Sequence, residues 1–487
     1  MSVGTSGAAA RSIAAEITGQ LQTGLRGRLI RPADADYDSV RQVWNGMVDK
    51  RPALIARCAG VADVVAAVRF GREHRLPIAV RGGGHNVAGA GVCDGGLVID
   101  LSTMNGIRVD PQRGTVRAAG GVTIGELDHE TQAFGLAVPM GVVTATGIAG
   151  LTLGGGLGWL RRRHGLSCDN LISADLVTAD GQLVTADEQH NPELLWALRG
   201  GGGNFGVVTS FEYRAHPLGP QVYLAFIIHS GADADAALHH YRDWAASAPD
   251  EVSSFAILWH APEMEEIPVE HHHTPIAVYL AVHCGEQDKA EQDLEPLRGF
   301  GSPIADLSAP MRYLDLQTFF DADYPAHDMR YYWKSQFLRD LPDEAVATLV
   351  ELNERAPSPH STLDLWQLGG AFARPGPRDT AFGDRSAPFM LGIECNWEHE
   401  ADDSASIAWG REVFDRLQPY STGAQYVNFP GLYEDSDAMM RDTFGPNLDR
   451  LTAIKKQFDP TNLFRLNHNI ASTAALPGSS PADQFAP

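Results

Sequence analysis

The segment Arg81-Gly82-Gly83-Gly84-His85-Asn86 constrains this chain more than any other stretch. It follows a short apolar run, Pro77-Ile78-Ala79-Val80, of the kind that forms a buried strand. Three successive glycines present backbone N–H groups without side-chain obstruction, so a strand that ends in them can cradle a phosphate. The histidine at the loop's end stands where a cofactor ring can be gripped or even bonded. The other reading is a structural turn that the histidine merely caps.

Three further segments bear on that choice. The first runs from Gly141-Val142-Val143-Thr144-Ala145-Thr146-Gly147 through Gly150 and Leu151 to Gly154-Gly155-Gly156-Leu157-Gly158. The second is Asn191-Pro192-Glu193-Leu194-Leu195-Trp196, followed by Gly200 to Gly203 and Asn204-Phe205-Gly206-Val207-Val208. The third, near the end, is Phe458-Asp459-Pro460-Thr461-Asn462-Leu463-Phe464-Arg465-Leu466-Asn467-His468-Asn469. In this order and spacing the four segments resemble the berberine-bridge-enzyme-like branch of the flavin oxidoreductases that share the vanillyl-alcohol-oxidase/p-cresol-methylhydroxylase fold. The resemblance extends from about Arg51 to Ile470. It implies an α+β protein with a two-part FAD-binding domain of the p-cresol-methylhydroxylase type. A substrate domain would accompany it, its antiparallel sheet covered by helices on one face.

Periodicity agrees with that division. Apolar residues recur at helical spacing from Val61 to Phe70, and short strands are expected at Pro77–Arg81, Gly96–Asp100 and Thr115–Ala118. Thr123 and Glu126 have the spacing of a capping box. Ala179-Asp180-Gly181 joins two apolar runs as a hairpin turn. Longer alternating runs follow, such as Ser254–Trp259, Pro275–Cys284 and Phe389–Trp397, which read as an antiparallel sheet. The expected organisation is a flexible lead over 1–25, an FAD-binding domain over 26–217 and a substrate domain over 218–419. A segment over 420–470 returns to the FAD domain, and 471–487 forms a disordered tail.

Composition narrows the partners. The net charge of −23 leaves no basic face to neutralise phosphates, which argues against nucleic acid and against an anionic membrane surface. The run Arg161-Arg162-Arg163-His164 is the exception, read as a solvated turn. No stretch of apolar residues is long enough to span a bilayer, and residues 1–30 lack the apolar core of an export signal. The five cysteines (58, 93, 168, 284 and 395) have no metal-type spacing and read as free thiols in a reducing compartment, which predicts a cytoplasmic protein.

The resemblance also implies roles. His85 matches the histidine that bonds the flavin 8α-methyl carbon. The cysteine that many relatives bond to flavin C6 is replaced by Val143, so FAD would be attached through His85 only, and Cys168 reads as a packed small residue. Val80, Arg81, Gly82, Gly83, Gly84 and Asn86 would hold the pyrophosphate through their backbone. Gly147, Gly150, Leu151 and Leu157 would line the flavin, and Val208 the adenine side. Asn467 and Asn469 either bond the cofactor or form an ordinary loop amide network.

Tyr426 matches the first tyrosine of a motif that supplies the catalytic base, and Phe429 replaces the second. An ordinary tyrosine titrates near pH ~10, so that role needs neighbours that favour phenolate. On the strand Leu391–Trp397, alternation puts Gly392, Glu394 and Asn396 opposite Leu391, Ile393, Cys395 and Trp397. Glu394 is either an auxiliary base or a sugar-hydroxyl acceptor, or else a solvent-facing or salt-bridged carboxylate. Tyr279, His283, Trp366 and Gln367 are expected at the pocket, and His271-His272-His273 in a solvated loop. Thr146 stands where a small residue in the family admits oxygen. The leading reading is an FAD-dependent oxidase that takes hydride from an alcohol or carbon centre of a sugar or secondary metabolite and yields hydrogen peroxide. The alternatives are a dehydrogenase with a non-oxygen acceptor and a flavin-carrying binding protein without turnover.

Overall fold

The computed structural model describes residues 15–432, 434 and 437–471. Two small sheets build the cofactor side. In the first, Arg28–Ile30 pairs antiparallel with Leu54–Arg57, which continues in parallel to Leu97–Asp100 and Ile78–Arg81. The register sets Arg81 opposite Asp100, and their side chains form a buried ion pair at 2.8 Å. The second sheet is antiparallel, in the order Ile107–Asp110, Thr115–Ala119, Val207–Arg214, Leu171–Val177, Leu183–Ala186. The last two strands are the hairpin expected around Asp180-Gly181. The helix Val61–Glu73 buries Val64, Ala67, Val68 and Phe70 against the first sheet, each larger side chain worth roughly 1.5–3 kcal/mol. The helix Ile124–Gln132 begins with the predicted Thr123–Glu126 capping box.

The substrate side is one eight-stranded antiparallel sheet drawn from Gln221 to Trp397. Its central strands are Val252–His260, Thr362–Gln367 and Phe389–Trp397, with Arg330–Leu338 at one end. The helices Ala234–Ala245, Gln287–Arg298, Asp343–Glu354 and Asp403–Leu417 pack on one face of this sheet. Leu391, Ile393, Cys395 and Trp397 point into that helical layer, as alternation requires. The opposite face, carrying Phe255, Ile257, Trp366 and Met390, meets the glycine-rich loops of the cofactor side. The fold is α+β, with the FAD-binding architecture expected.

Three expectations need correction. Residues 1–25 are not a lead throughout: Ala15–Gly24 is a helix, and Leu21 and Leu25, one turn apart, bury against the Val61–Glu73 helix. The segment after 420 does not pass straight back to the cofactor side. Residues 421–431 first run along the strand Arg330–Leu338, with main-chain bonds from Thr422 to Phe337, Phe337 to Ala424 and Gly431 to Trp333. Val427, the helices Asp437–Phe444 and Leu448–Phe458, and Ile470 then join the cofactor-side core. The run Arg161–His164 is a buried helical turn, with Arg161 and Arg162 inside the protein. Its guanidinium groups are satisfied by main-chain carbonyls of the substrate side: Arg161 bonds Gln367 and Ser254, Arg162 bonds Val252, Ala248 and Leu368, and Arg163 bonds Cys284. The expected tail over 471–487 lies outside the described residues, apart from Ala471.

Candidate active site

One cleft runs between the cofactor-side loops and the free face of the large sheet, enclosing about 1910 Å³ of empty space with its open mouth included. Residues 80–86, Val143, Thr146, Gly147, Gly150, Leu151, Leu157, Val208 and Asn467 all line it, as do Tyr426 and Glu394. Asn469 does not, although its Oδ1 is buried and makes no hydrogen bond. The Arg81 guanidinium is committed to Asp100 and the Val40 carbonyl, so Arg81 offers the cleft only its backbone and side-chain stem. Gly83 and Gly147 touch backbone to backbone, and a Cβ on either would collide with the other's main chain. That approach brings the first two glycine loops together as one wall.

His85 stands at the end of this wall, stacked on Trp44 with ring centroids 4.1 Å apart. Trp44 stacks in turn on Tyr331 of the large sheet at 3.7 Å. Burial pulls the imidazole down to about pKa 4, so it is neutral near pH 7, and its Nε2 is buried with no hydrogen-bond partner. Asn45 fastens the loop to the sheet by bonding the carbonyls of Val87 and Tyr331. Neither Trp44 nor Asn45 lies in a glycine-rich motif, and nothing in the sequence signals them.

Tyr426 sits across the cleft, buried except where it lines the cavity. Its Oη accepts three N–H donors: Gly156 and Leu157 main chain at 3.1 Å each, and Asn428 Nδ2 at 2.9 Å. Gly156 has φ +87°, and a Cβ there would collide with Ser167, so glycine is needed to aim these amides. A neutral phenol oxygen has two lone pairs, whereas a phenolate accepts three bonds. Burial pushes the phenol up to about pKa 12, while the three donors pull it down. The donor set therefore favours the charged form against desolvation. Asn428, missed from sequence, was legible as an amide two residues beyond Tyr426.

The third feature lies on the large sheet. Thr362 pairs with Glu394 in the antiparallel register, which puts Asp364 and Glu394 diagonally on the cleft face. Burial raises both carboxyls; the Asp364 charge raises Glu394 further, while hydrogen bonds from Thr362 and Glu394 hold Asp364 lower, so the proton of the pair rests on Glu394 near neutral pH. Tyr324 Oη donates to Glu394 Oε2 at 2.7 Å. Phe255, Phe320, Trp333, Trp366 and Phe429 surround the pair. Glu394 is thus neither solvent-facing nor salt-bridged, and Asp364 and Tyr324 join it from segments that sequence alone does not bring together.

Other expected pocket residues separate. Trp366 lines the cleft, but Gln367 bonds Ser254 and the Ala245 carbonyl inside the sheet. Tyr279 faces the helical layer and bonds the Ala237 carbonyl, and His283 meets Asp293 on a covering helix. Alternation fixed which residues of that strand share a face, not which face meets the helices. His273 pairs with Glu263 on the surface, and no metal-type cluster occurs among the described residues. All five cysteines are buried free thiols and none lines the cleft. Cys168 packs among Leu157, Trp159 and Leu166.

Two family models match the chain: "FAD binding domain" over residues 52–187 and "Berberine and berberine like" over residues 425–471. An FAD-linked oxidoreductase of Aspergillus terreus is 40% identical across 91% of this chain and 93% of its own. The (R)-6-hydroxynicotine oxidase of Paenarthrobacter nicotinovorans is 32% identical across 92% and 97% respectively. The crystal structure of 6-hydroxy-D-nicotine oxidase from Arthrobacter nicotinovorans superposes with a TM-score of 0.83, at 29% identity, covering 92% of this chain and 98% of that one. With the cleft, the paired domains and near full-length similarity all in agreement, this chain belongs to the berberine-bridge-enzyme-like FAD-linked oxidoreductases.

Proposed function

We propose that this enzyme is an oxidase that removes hydride from an alcohol or carbon centre of a small molecule, using FAD bonded covalently to His85 alone and Tyr426 as the base. The observation that carries the proposal is the Tyr426 oxygen, met by three N–H donors at the cleft. Such a group is built to hold negative charge, which is what a base that takes a substrate proton requires.

The cleft residues fit FAD. The neutral His85 imidazole offers a buried, unpartnered Nε2 at the end of the glycine loop, and the stack on Trp44 fixes the ring. Asn467 Oδ1 is a second buried acceptor without a partner at the opposite loop, fit for a ring N–H or a ribityl hydroxyl. Val143 is buried where a second attachment would need a thiol, which supports a single bond. FAD held by these residues would supply the two-electron acceptor for the substrate's C–H, with oxygen as the expected final acceptor and hydrogen peroxide as its product. Tyr426 takes the proton from the substrate hydroxyl and keeps it within the Gly156, Leu157 and Asn428 donor set. The aromatic walls exclude water, which strengthens those bonds. Thr146, close to valine in size, leaves room for oxygen at the cofactor wall.

The test is peroxide release by the FAD-loaded enzyme over a panel of aromatic alcohols and sugars, compared with Tyr426→Phe. The variant should retain FAD and lose roughly 10²–10⁴-fold in kcat/KM. Equal turnover by the variant would remove Tyr426 from the mechanism. Turnover with a quinone acceptor but no peroxide would identify a dehydrogenase instead.

A further inference from the structure

The corner of the cleft around Gly392 holds polar atoms that the oxidation step does not use. Asp364 and Trp366 are 5% and 4% exposed, and Asp364 Oδ1 and Trp366 Nε1 are buried with no hydrogen-bond partner. They converge: a Cβ on Gly392 would lie 3.3 Å from Trp366 Nε1, 3.5 Å from Asp364 Cβ and 3.6 Å from Glu394 Oε1. The second indole at the cavity, Trp333, differs, since its N–H is spent on Asn396 Oδ1 at 2.7 Å. A buried N–H left without an acceptor is costly, and so is a buried carboxyl oxygen without a donor. One corner therefore presents a donor and an acceptor side by side.

We propose that Trp366, Asp364 and Glu394 form the anchor for the hydroxyl of a neutral hydroxylated aromatic substrate. A hydroxyl satisfies both groups at once, accepting from the indole N–H and donating to the carboxyl oxygen. An ammonium, by contrast, has no acceptor to offer the indole N–H. Phe255 packs edge-on against Trp366 at 4.3 Å, and Phe429 and Trp333 stand in edge contact at 5.1 Å. These walls suit a flat ring, whereas a polyhydroxylated sugar would leave most of its hydroxyls against aromatic faces. Arg161 braces the corner from behind. Its guanidinium lies 4.7 Å from the Phe255 ring and 5.2 Å from the Trp366 ring, and it bonds the Gln367 carbonyl.

This anchor rests on the reading of the cleft as the site of substrate oxidation, but binding tests it without turnover. Calorimetric titration of the FAD-loaded enzyme with phenol, anisole, benzylammonium and glucose should show phenol binding about tenfold or more tighter than anisole. The Trp366→Phe variant keeps an aromatic ring and removes the N–H together with the five-membered ring, so the ratio of phenol to anisole affinity is the quantity compared. It and Asp364→Leu should drop phenol to the level of anisole and leave anisole unchanged. The assignment is overturned by undetectable phenol binding, by equal phenol and anisole affinity, by tighter binding of benzylammonium or glucose, or by a phenol preference that survives in Trp366→Phe. Should Asp364→Leu fail to hold FAD, Trp366→Phe decides alone. A phenol preference without peroxide release on any substrate would defeat the oxidase reading and spare the anchor; the reverse pattern would defeat only the anchor.

Discussion

At the scale of single residues, the chemistry depends on which atoms are left to act after packing is complete. Tyr426 Oη meets three N–H donors, which favour phenolate and oppose the burial that raises the phenol. Asn428 is the one donor among the three that a side-chain change can remove. A hydrogen bond to a charged group contributes about 1.5–3 kcal/mol, so Asn428→Ala should lose roughly 10- to 100-fold in kcat/KM at pH ~8 with its FAD retained. The profile should also keep climbing with pH toward about 12, where burial places the phenol, because only the deprotonated phenol accepts a proton. A flat profile in the wild type would point to another base. Tyr426 was legible from its motif, and Asn428, which was missed, stands two residues beyond it. Asp364 and Tyr324 were not, because their meeting with Glu394 depends on strand register and on a loop from another part of the sheet.

At the scale of elements, the two domains meet through paired helices as well as loops. Asp128, on the helix Ile124–Gln132, is fully buried and accepts from Gln317 of the helical turn Tyr313–Gln317 at 2.6 Å. Burial raises its carboxyl to about pKa 7, against ~3.9 in an unfolded chain. The folded state thus holds a proton that the unfolded state releases. Stability therefore falls as pH rises from about 4 to about 7, by about 1.4 kcal/mol per unit, and is level above that. Asp128→Asn should raise the melting temperature at pH ~8 and change it little at pH ~4; equal effects at both would show that Asp128 folds ionised. Strand and helix positions were legible where periodicity was strong, as in the capping box at Thr123 and the hairpin at Asp180-Gly181. The wrong face assigned to Tyr279 and His283 has a plain cause. Both faces of that strand are buried, so hydrophobicity cannot tell the helical layer from the cleft.

At the scale of the whole molecule, the cleft exists because separate segments hold two sheets at a fixed distance. The turn Arg161–His164 is the clearest fastening, and three successive arginines in sequence gave no hint that it would be buried. Its guanidinium groups pair with the carbonyls that the large sheet leaves open, a demand visible only after folding. Arg162→Met strands the Val252, Ala248 and Leu368 carbonyls. It should cost about 1–3 kcal/mol in thermal unfolding, and a change near zero would mean that water replaces the bonds. The proposed oxidation rests on FAD attached at His85. The direct measurement is acid denaturation of the purified holoenzyme, proteolysis, and mass spectrometry of any flavin-bearing peptide. Flavin on the peptide that contains His85, and on no cysteine peptide, is the expected result. Flavin released into the supernatant, or bonded elsewhere, would contradict it.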